Sequence, residues 1–320
     1  MSDYDPGYGE PEPRAPHVNG EAVEPMPEPA GYLWRPMQPP SAPALELVAP
    51  PPAAPKLLPH IGNTLVFGVI AFFSFIGGYI ITLLALFATH RSVPLLSLVQ
   101  QIAHNVTYAI SGQAVGYALL WALAALVFSL WWHRSFFTGI HWNFAVARRW
   151  AVVLGGLGVI TGLAITIAGN FVPMPKAPPI LEDLTRSAAG AWALMAFGVT
   201  IAPLTEELAF RGFLLPSLVN IFRWLEHKRI IGEQAVRYFG IPLSIILTSI
   251  PFALMHSQQV SNSWGPVLLI GCVSIILCVI RLTTGSVAAG VVVHACYNLT
   301  LFAGLLYQTD WFRHLDKLKT

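Results

Sequence analysis

The chain has 320 residues, of which 55% are apolar and only 11% charged, and its mean hydropathy is +0.60. Soluble domains carry about 25% charged residues, so the composition excludes a water-soluble globule and implies an all-α polytopic membrane bundle. The net charge is +2 and the basic residues are spread over loops, which excludes nucleic acid as a partner.

Residues 1–62 hold 16 of the 26 prolines, with eight acidic residues against Arg14, Arg35 and Lys56. Such a segment cannot bury enough apolar surface to fold, so a disordered, Pro-rich acidic tail is expected there. It has no apolar run of the signal-peptide kind. From residue 63 the character changes: no acidic residue occurs between Asn63 and Leu181. About 20 apolar residues cross the hydrocarbon core of a bilayer. That length predicts spans over 64–88, 106–132, 150–168, 187–205, 240–256, 265–280 and 286–307. The second closes on Trp131, Trp132, His133 and Arg134, an aromatic belt followed by charge.

The stretch 93–105 is amphipathic and is expected at the membrane interface. If it re-enters the membrane, the count of seven becomes eight. Gly158 and Gly162 form a GxxxG, read as helix packing. Residues 170–186 are rich in proline and read as a solvated connection, with a gate as the other reading. Cys272, Cys278 and Cys296 lie in apolar runs and are read as small buried side chains. The chain thus divides into the tail, N-terminal spans over 63–186, a polar-dotted core over 187–309 and a polar C-terminal tail over 310–320.

Loops 133–149 and 211–238 carry most of the short-loop Lys and Arg, which by the positive-inside rule puts the N-terminus in the cytoplasm of a plasma or inner membrane. Seven spans would then leave Arg313, Lys317 and Lys319 on the opposite side, and an eighth element would remove that conflict.

Three polar groups interrupt the apolar core. Thr205-Glu206-Glu207 ends a run from Ser187 without a charged residue, and Arg211 follows one turn later. Intramembrane carboxylates are expensive and mark function. Glu207 and Arg211 are i,i+4 and share a face. Glu206 is rotated about 100° from Glu207. The expected division is Glu206 as the reactive base and Glu207 with Arg211 as its support. Phe252 and His256 are again i,i+4, so the ring can orient the imidazole. His294 and Asn298 repeat the spacing and can donate toward one point, the form of an oxyanion hole.

Two mechanisms fit these groups. In one, Glu206 and His256 activate water while His294 and Asn298 stabilise the oxyanion. In the other, Glu206, His256 and His294 hold Zn²⁺, which lowers the pKa of bound water to about 7. No HExxH or GxSxG occurs, and Asp183, Asp310 and Asp316 are the only aspartates after residue 62 and lie outside the spans.

Glu206-Glu207-Leu208-Ala209-Phe210-Arg211, Phe252 to His256 and His294 to Asn298 match, in order, the EExxxR, FxxxH and HxxxN pattern. In this the chain resembles the CPBP family of intramembrane proteases, which includes type II CaaX prenyl endopeptidases and bacteriocin-processing or immunity (Abi) proteins. The resemblance covers about 187–309. It implies that Glu206 and His256 activate water, that His294 and Asn298 form the oxyanion hole, and that Glu207 and Arg211 support the site. It implies membrane lipids and a membrane-associated peptide, such as a prenylated CaaX or leader segment, as partners. The family is usually called a metalloprotease family, though a metal-free glutamate mechanism is also argued for it. A non-catalytic scaffold or immunity factor, or a proton-coupled transporter using Glu206 and His256, are the other classes of function. The intact motifs weigh against the first and the lack of an internal repeat against the second.

Overall fold

The computed structural model describes residues 58–318 except 176, 177, 180, 181 and 183–185. The disorder expected for 1–62 therefore falls, for residues 1–57, outside the described residues. Its last residues are ordered. Helix α1 (Ile61–Thr89) starts at His60, whose backbone N–H donates to the Asn63 side chain at 3.1 Å. The Pro59 carbonyl accepts from Asn220 at 2.9 Å.

Among the described residues seven helical segments are long and apolar enough to span a bilayer, all of them predicted: Ile61–Thr89, Val106–Trp132, Ala151–Phe171, Ala188–His227, Glu233–Met255, Trp264–Thr284 and Val287–Gln308. The chain is thus an all-α multi-pass membrane protein. Phe72, Phe73, Leu65 and Val152 are exposed on the outer helices; in water this would be costly, but against lipid tails it is the expected state. The amphipathic stretch forms α2 (Leu95–His104), ten residues long and too short to cross. Asn105 then caps α3 (Val106–Trp132), accepting from the amides of Thr107 and Tyr108.

Small residues set how closely the helices approach, as expected where lipid removes the hydrophobic drive for helix association. A Cβ on Gly78 of α1 would lie 2.4 Å from the Gly112 carbonyl oxygen of α3. Gly158 and Gly162 of α4 (Ala151–Ala168) do the same work against α10 (Val287–Gln308). A Cβ at Gly158 would meet the Val293 carbonyl at 2.5 Å, and one at Gly162 the Thr300 side chain at 2.7 Å. The packing role read from the GxxxG is therefore what the structure shows.

The fourth span differs from expectation. It does not end at the Glu pair. Helix α5 (Ala188–Val199) turns at Thr200 into α6 (Ile201–Glu207), passes through a π-helical stretch, Leu208–Leu214, and continues as α7 (Leu215–His227). Charge content suggested a stop at residue 205, but the first carboxylates are buried inside the bundle and the helix runs on beneath them. Pro203 has no N–H to close on Val199, which permits the bend at Thr200. Single π turns are rare and cluster at functional sites.

Helices α8 (Ile241–Met255), α9 (Trp264–Thr284) and α10 complete the core. The sixth span also extends past its expected end at residue 280, so Arg281 sits in the last turn of α9 and is buried. The C-terminal residues are not simply a polar tail: Phe312 is buried against Ala191 and Leu194 of α5.

Candidate active site

Three separate helices bring the motif residues together. Glu206 and Glu207 end α6, Arg211 lies in the π-helical stretch, Phe252 and His256 close α8, and His294 and Asn298 stand on α10. All lie near a cavity of about 390 Å³ walled by Glu206, Phe252, His256, His294 and Asn298, with Phe197, Leu301 and Phe302 among its apolar walls.

The Glu pair divides as the helical rotation requires. Glu207 is fully buried, as is Arg211. Arg211 Nη1 donates to Glu207 Oε1 at 3.0 Å. Its Nη2 reaches both the carbonyl and the hydroxyl of Ser274 on α9, at 2.8 and 2.7 Å. The guanidinium also sits 4.6 Å from the centre of the Phe252 ring, a favourable cation–π position. A buried ion pair is tolerable only when most of its remaining polar atoms are satisfied; Ser274 does this for Nη2 of Arg211, while its Nε has no partner among the described residues. Glu207 Oε2 has no partner among the described residues and lies against Gly290. A Cβ there would come within 2.7 Å of this oxygen.

Glu207 has a second task that the spacing did not disclose. Its Oε1 lies 3.0 Å from His294 Nδ1. A carboxylate paired with arginine can only accept, so Nδ1 carries the proton. The other nitrogen, Nε2, is thereby turned toward Glu206 Oε2, 3.7 Å away. Glu206 Oε2 is also 3.8 Å from His256 Nε2. Glu206 thus faces both imidazoles at once. Those separations exceed a direct hydrogen bond.

His256 caps the end of α8, and its Nδ1 lies 3.1 Å from Gln259 Oε1 in the following turn. Phe252 packs edge-on against His256 at 5.2 Å and against His294 at 5.9 Å. One ring therefore orients both, where only the first was anticipated.

Asn298 departs most from expectation. It lines the cavity, but its Nδ2 donates to the Gly198 carbonyl at 2.6 Å, tying α10 to α5. One of its two N–H bonds is therefore engaged in structure. Nor are His294 and Asn298 a matched pair of neutral donors: with its proton on Nδ1, His294 donates from Nε2 only after gaining a second one.

Ser274, Gln259, Arg281 and Gly290 escaped the sequence reading. Serine in an apolar helix and glycine in a span are common, and neither has a spacing that points to Glu207. Arg281 was visible as a charge ending an apolar run; its Nε donates to the Arg211 carbonyl at 3.1 Å.

Glu206, His256 and His294 are chemically suitable zinc donors. Among the described residues no group of three His, Cys, Asp or Glu side chains is drawn together closely enough to stand out as a metal-holding set.

An all-α, multi-pass bundle with Glu206, His256 and His294 on the wall of one internal cavity is the frame of a candidate active site within the membrane. Residues 188–300 match the family model described as type II CAAX prenyl endopeptidase Rce1-like. The match contains every residue of the three motifs and bears out the family resemblance they suggested. The matched family is one of proteases. Neither the curated proteins nor the solved structures compared with the chain give a match.

Proposed function

We propose that the protein is an intramembrane endopeptidase that hydrolyses a peptide bond by a metal-free glutamate mechanism. The observation that carries this reading is the position of Glu206 Oε2, 3.8 Å from His256 Nε2 and 3.7 Å from His294 Nε2, on the wall of one cavity.

The steps follow from the residues. A water held between Glu206 and His256 gives its proton to Glu206 as its oxygen attacks the peptide carbonyl. Glu206 passes that proton to His294 Nε2. His294 then carries both protons, its Nδ1–H held by Glu207, and its Nε2–H donates to the developing oxyanion. The free N–H of Asn298 supplies the second donor. As the tetrahedral intermediate collapses, the carbon–nitrogen bond breaks and the proton leaves from Nε2 to the amine. The products are a carboxylic acid and an amine. Arg211 holds Glu207 in its acceptor position, and Phe252 holds both rings in place. No step passes through a metal.

The substrate is a peptide or protein chain at the membrane, with lipids as the surrounding partner. The apolar walls Phe197, Leu301 and Phe302 suit an apolar substrate segment, and a prenylated CaaX terminus is the form that the matched family's description supports. Loop charge supports a cytoplasmic N-terminus. The test is a comparison of membrane-protein termini in cells carrying the native chain, Glu206→Gln or His256→Ala, at equal insertion. Loss of a defined set of new termini in both variants is expected. Unchanged termini in both would remove the protease reading.

A further inference from the structure

A second cavity, of about 400 Å³, lies where the last turn of α9 meets the first turns of α7 and the loop after α3. Its polar walls are Arg134, His141, Asn220, Arg223 and Arg281, and among the described residues no acidic side chain lines it. None of Glu206, His256, His294 and Asn298 belongs to it.

Arg281 is the anchor. It is only 7% exposed. Its Nε is taken by the Arg211 carbonyl. Among the described residues its two terminal nitrogens have no acceptor, and the guanidinium groups of Arg134 and Arg223 have no carboxylate partner. A buried cation without a counter-charge is costly, because burial removes its hydration and nothing replaces it. The same uncompensated field acts on His141: burial first, then Arg281 and Arg134, hold its imidazole below the usual histidine range.

We propose that this cavity binds a phosphate-type oxyanion. The planar fork of arginine matches phosphate oxygens two at a time. Three guanidinium groups around one cavity, one of them buried, supply both charge and geometry, and Asn220 Nδ2 is already committed to Pro59, which keeps the wall in place. The phosphate comes from a lipid headgroup or from a soluble phosphate. Trp131, exposed beside the His60 ring at the start of α1, marks the kind of interface at which headgroups lie.

The experiment uses the full chain in phosphatidylcholine vesicles. One arm adds inorganic phosphate; the other replaces part of the phosphatidylcholine with phosphatidylglycerol. The thermal midpoint is followed in the native chain, in an Arg134→Gln/Arg223→Gln double variant, and in a Lys228→Gln control that removes an exposed charge outside the cavity. Both residues of the double variant are exposed, so at neutral pH its midpoint in phosphatidylcholine alone should stay close to the native one. The native chain and the control should be stabilised by at least one probe, and the double variant should bind it about tenfold more weakly. A response to phosphatidylglycerol alone assigns the site to lipid; one to inorganic phosphate alone assigns it to a soluble anion. An equal response of native chain and double variant, or no response of the native chain to either probe, overturns the proposal.

Discussion

His294 Nδ1 and Arg211 Nη1 both lie 3.0 Å from the same oxygen, Oε1 of Glu207. One buried carboxylate therefore neutralises the arginine and sets which nitrogen of the histidine faces Glu206. Glu207 is the hinge between the stability of the core and the chemistry of the cavity.

The two glutamates should respond differently to mutation. Glu206→Gln keeps shape and removes the base, so proteolysis should fall by about 10²–10⁴-fold with little change in thermal midpoint. Glu207→Ala should lower activity and stability together. A turnover assay and a melting curve on each purified variant separate the two roles; a Glu206→Gln chain that keeps native turnover would show that another group takes the proton.

Arg211→Ala leaves Glu207 buried without its cation and frees the Ser274 hydroxyl and carbonyl. Breaking a buried pair in this way costs about 3–5 kcal/mol. Poor recovery of folded protein and a strongly lowered midpoint are expected. Ser274→Ala removes one hydrogen bond to a charged group, about 1.5–3 kcal/mol, and should rank between Arg211→Ala and the native chain.

Gly290→Ala is the most economical test of the site's geometry. The new methyl carbon would stand 2.7 Å from Glu207 Oε2. The carboxylate must shift, and His294 shifts with it. Displacement of a catalytic group by about 1 Å can cost on the order of 10²-fold in rate. The expected result is a fall in turnover larger than the change in thermal midpoint. Native turnover in this variant would mean that Glu207 does not position His294.

Metal dependence separates the two mechanisms that the donor set allowed. Turnover should survive exhaustive chelation, and purified active protein should hold well below one zinc per chain. Loss of activity on chelation with recovery on adding Zn²⁺ would transfer the water-activating role to a metal.

The lowered proton affinity of His141 links to stability with a defined sign. Burial, then Arg281 and Arg134, disfavour its charged form in the folded chain. The unfolded chain then binds more protons as pH falls below about 6.5. Stability from this group is present above that value and lost as pH drops through the folded one. Melting curves from neutral to mildly acidic pH should show a decline that is shallower in Arg134→Gln than in the native chain.

The seven spans were legible because burial in lipid demands an unbroken apolar length, and each run of sequence carries that length locally. The three motifs were legible because i,i+4 spacing puts two side chains on one face whatever surrounds them. That Glu206, His256 and His294 meet at one cavity depends on how α6, α8 and α10 pack, and the sequence marks this only by family pattern. The continuation of the fourth span through Glu207 was hidden, since a carboxylate looks like a helix end until its partners are known. Ser274, Gly290 and Arg281 act across helices, and no local spacing encodes a neighbour on another helix. By itself the sequence determined the solvent, the seven apolar runs long enough to span and the polar residues that had to find partners there. Only the tertiary structure decided which partners they found, because a buried charge is satisfied by whatever the packing of distant helices brings within about 3 Å.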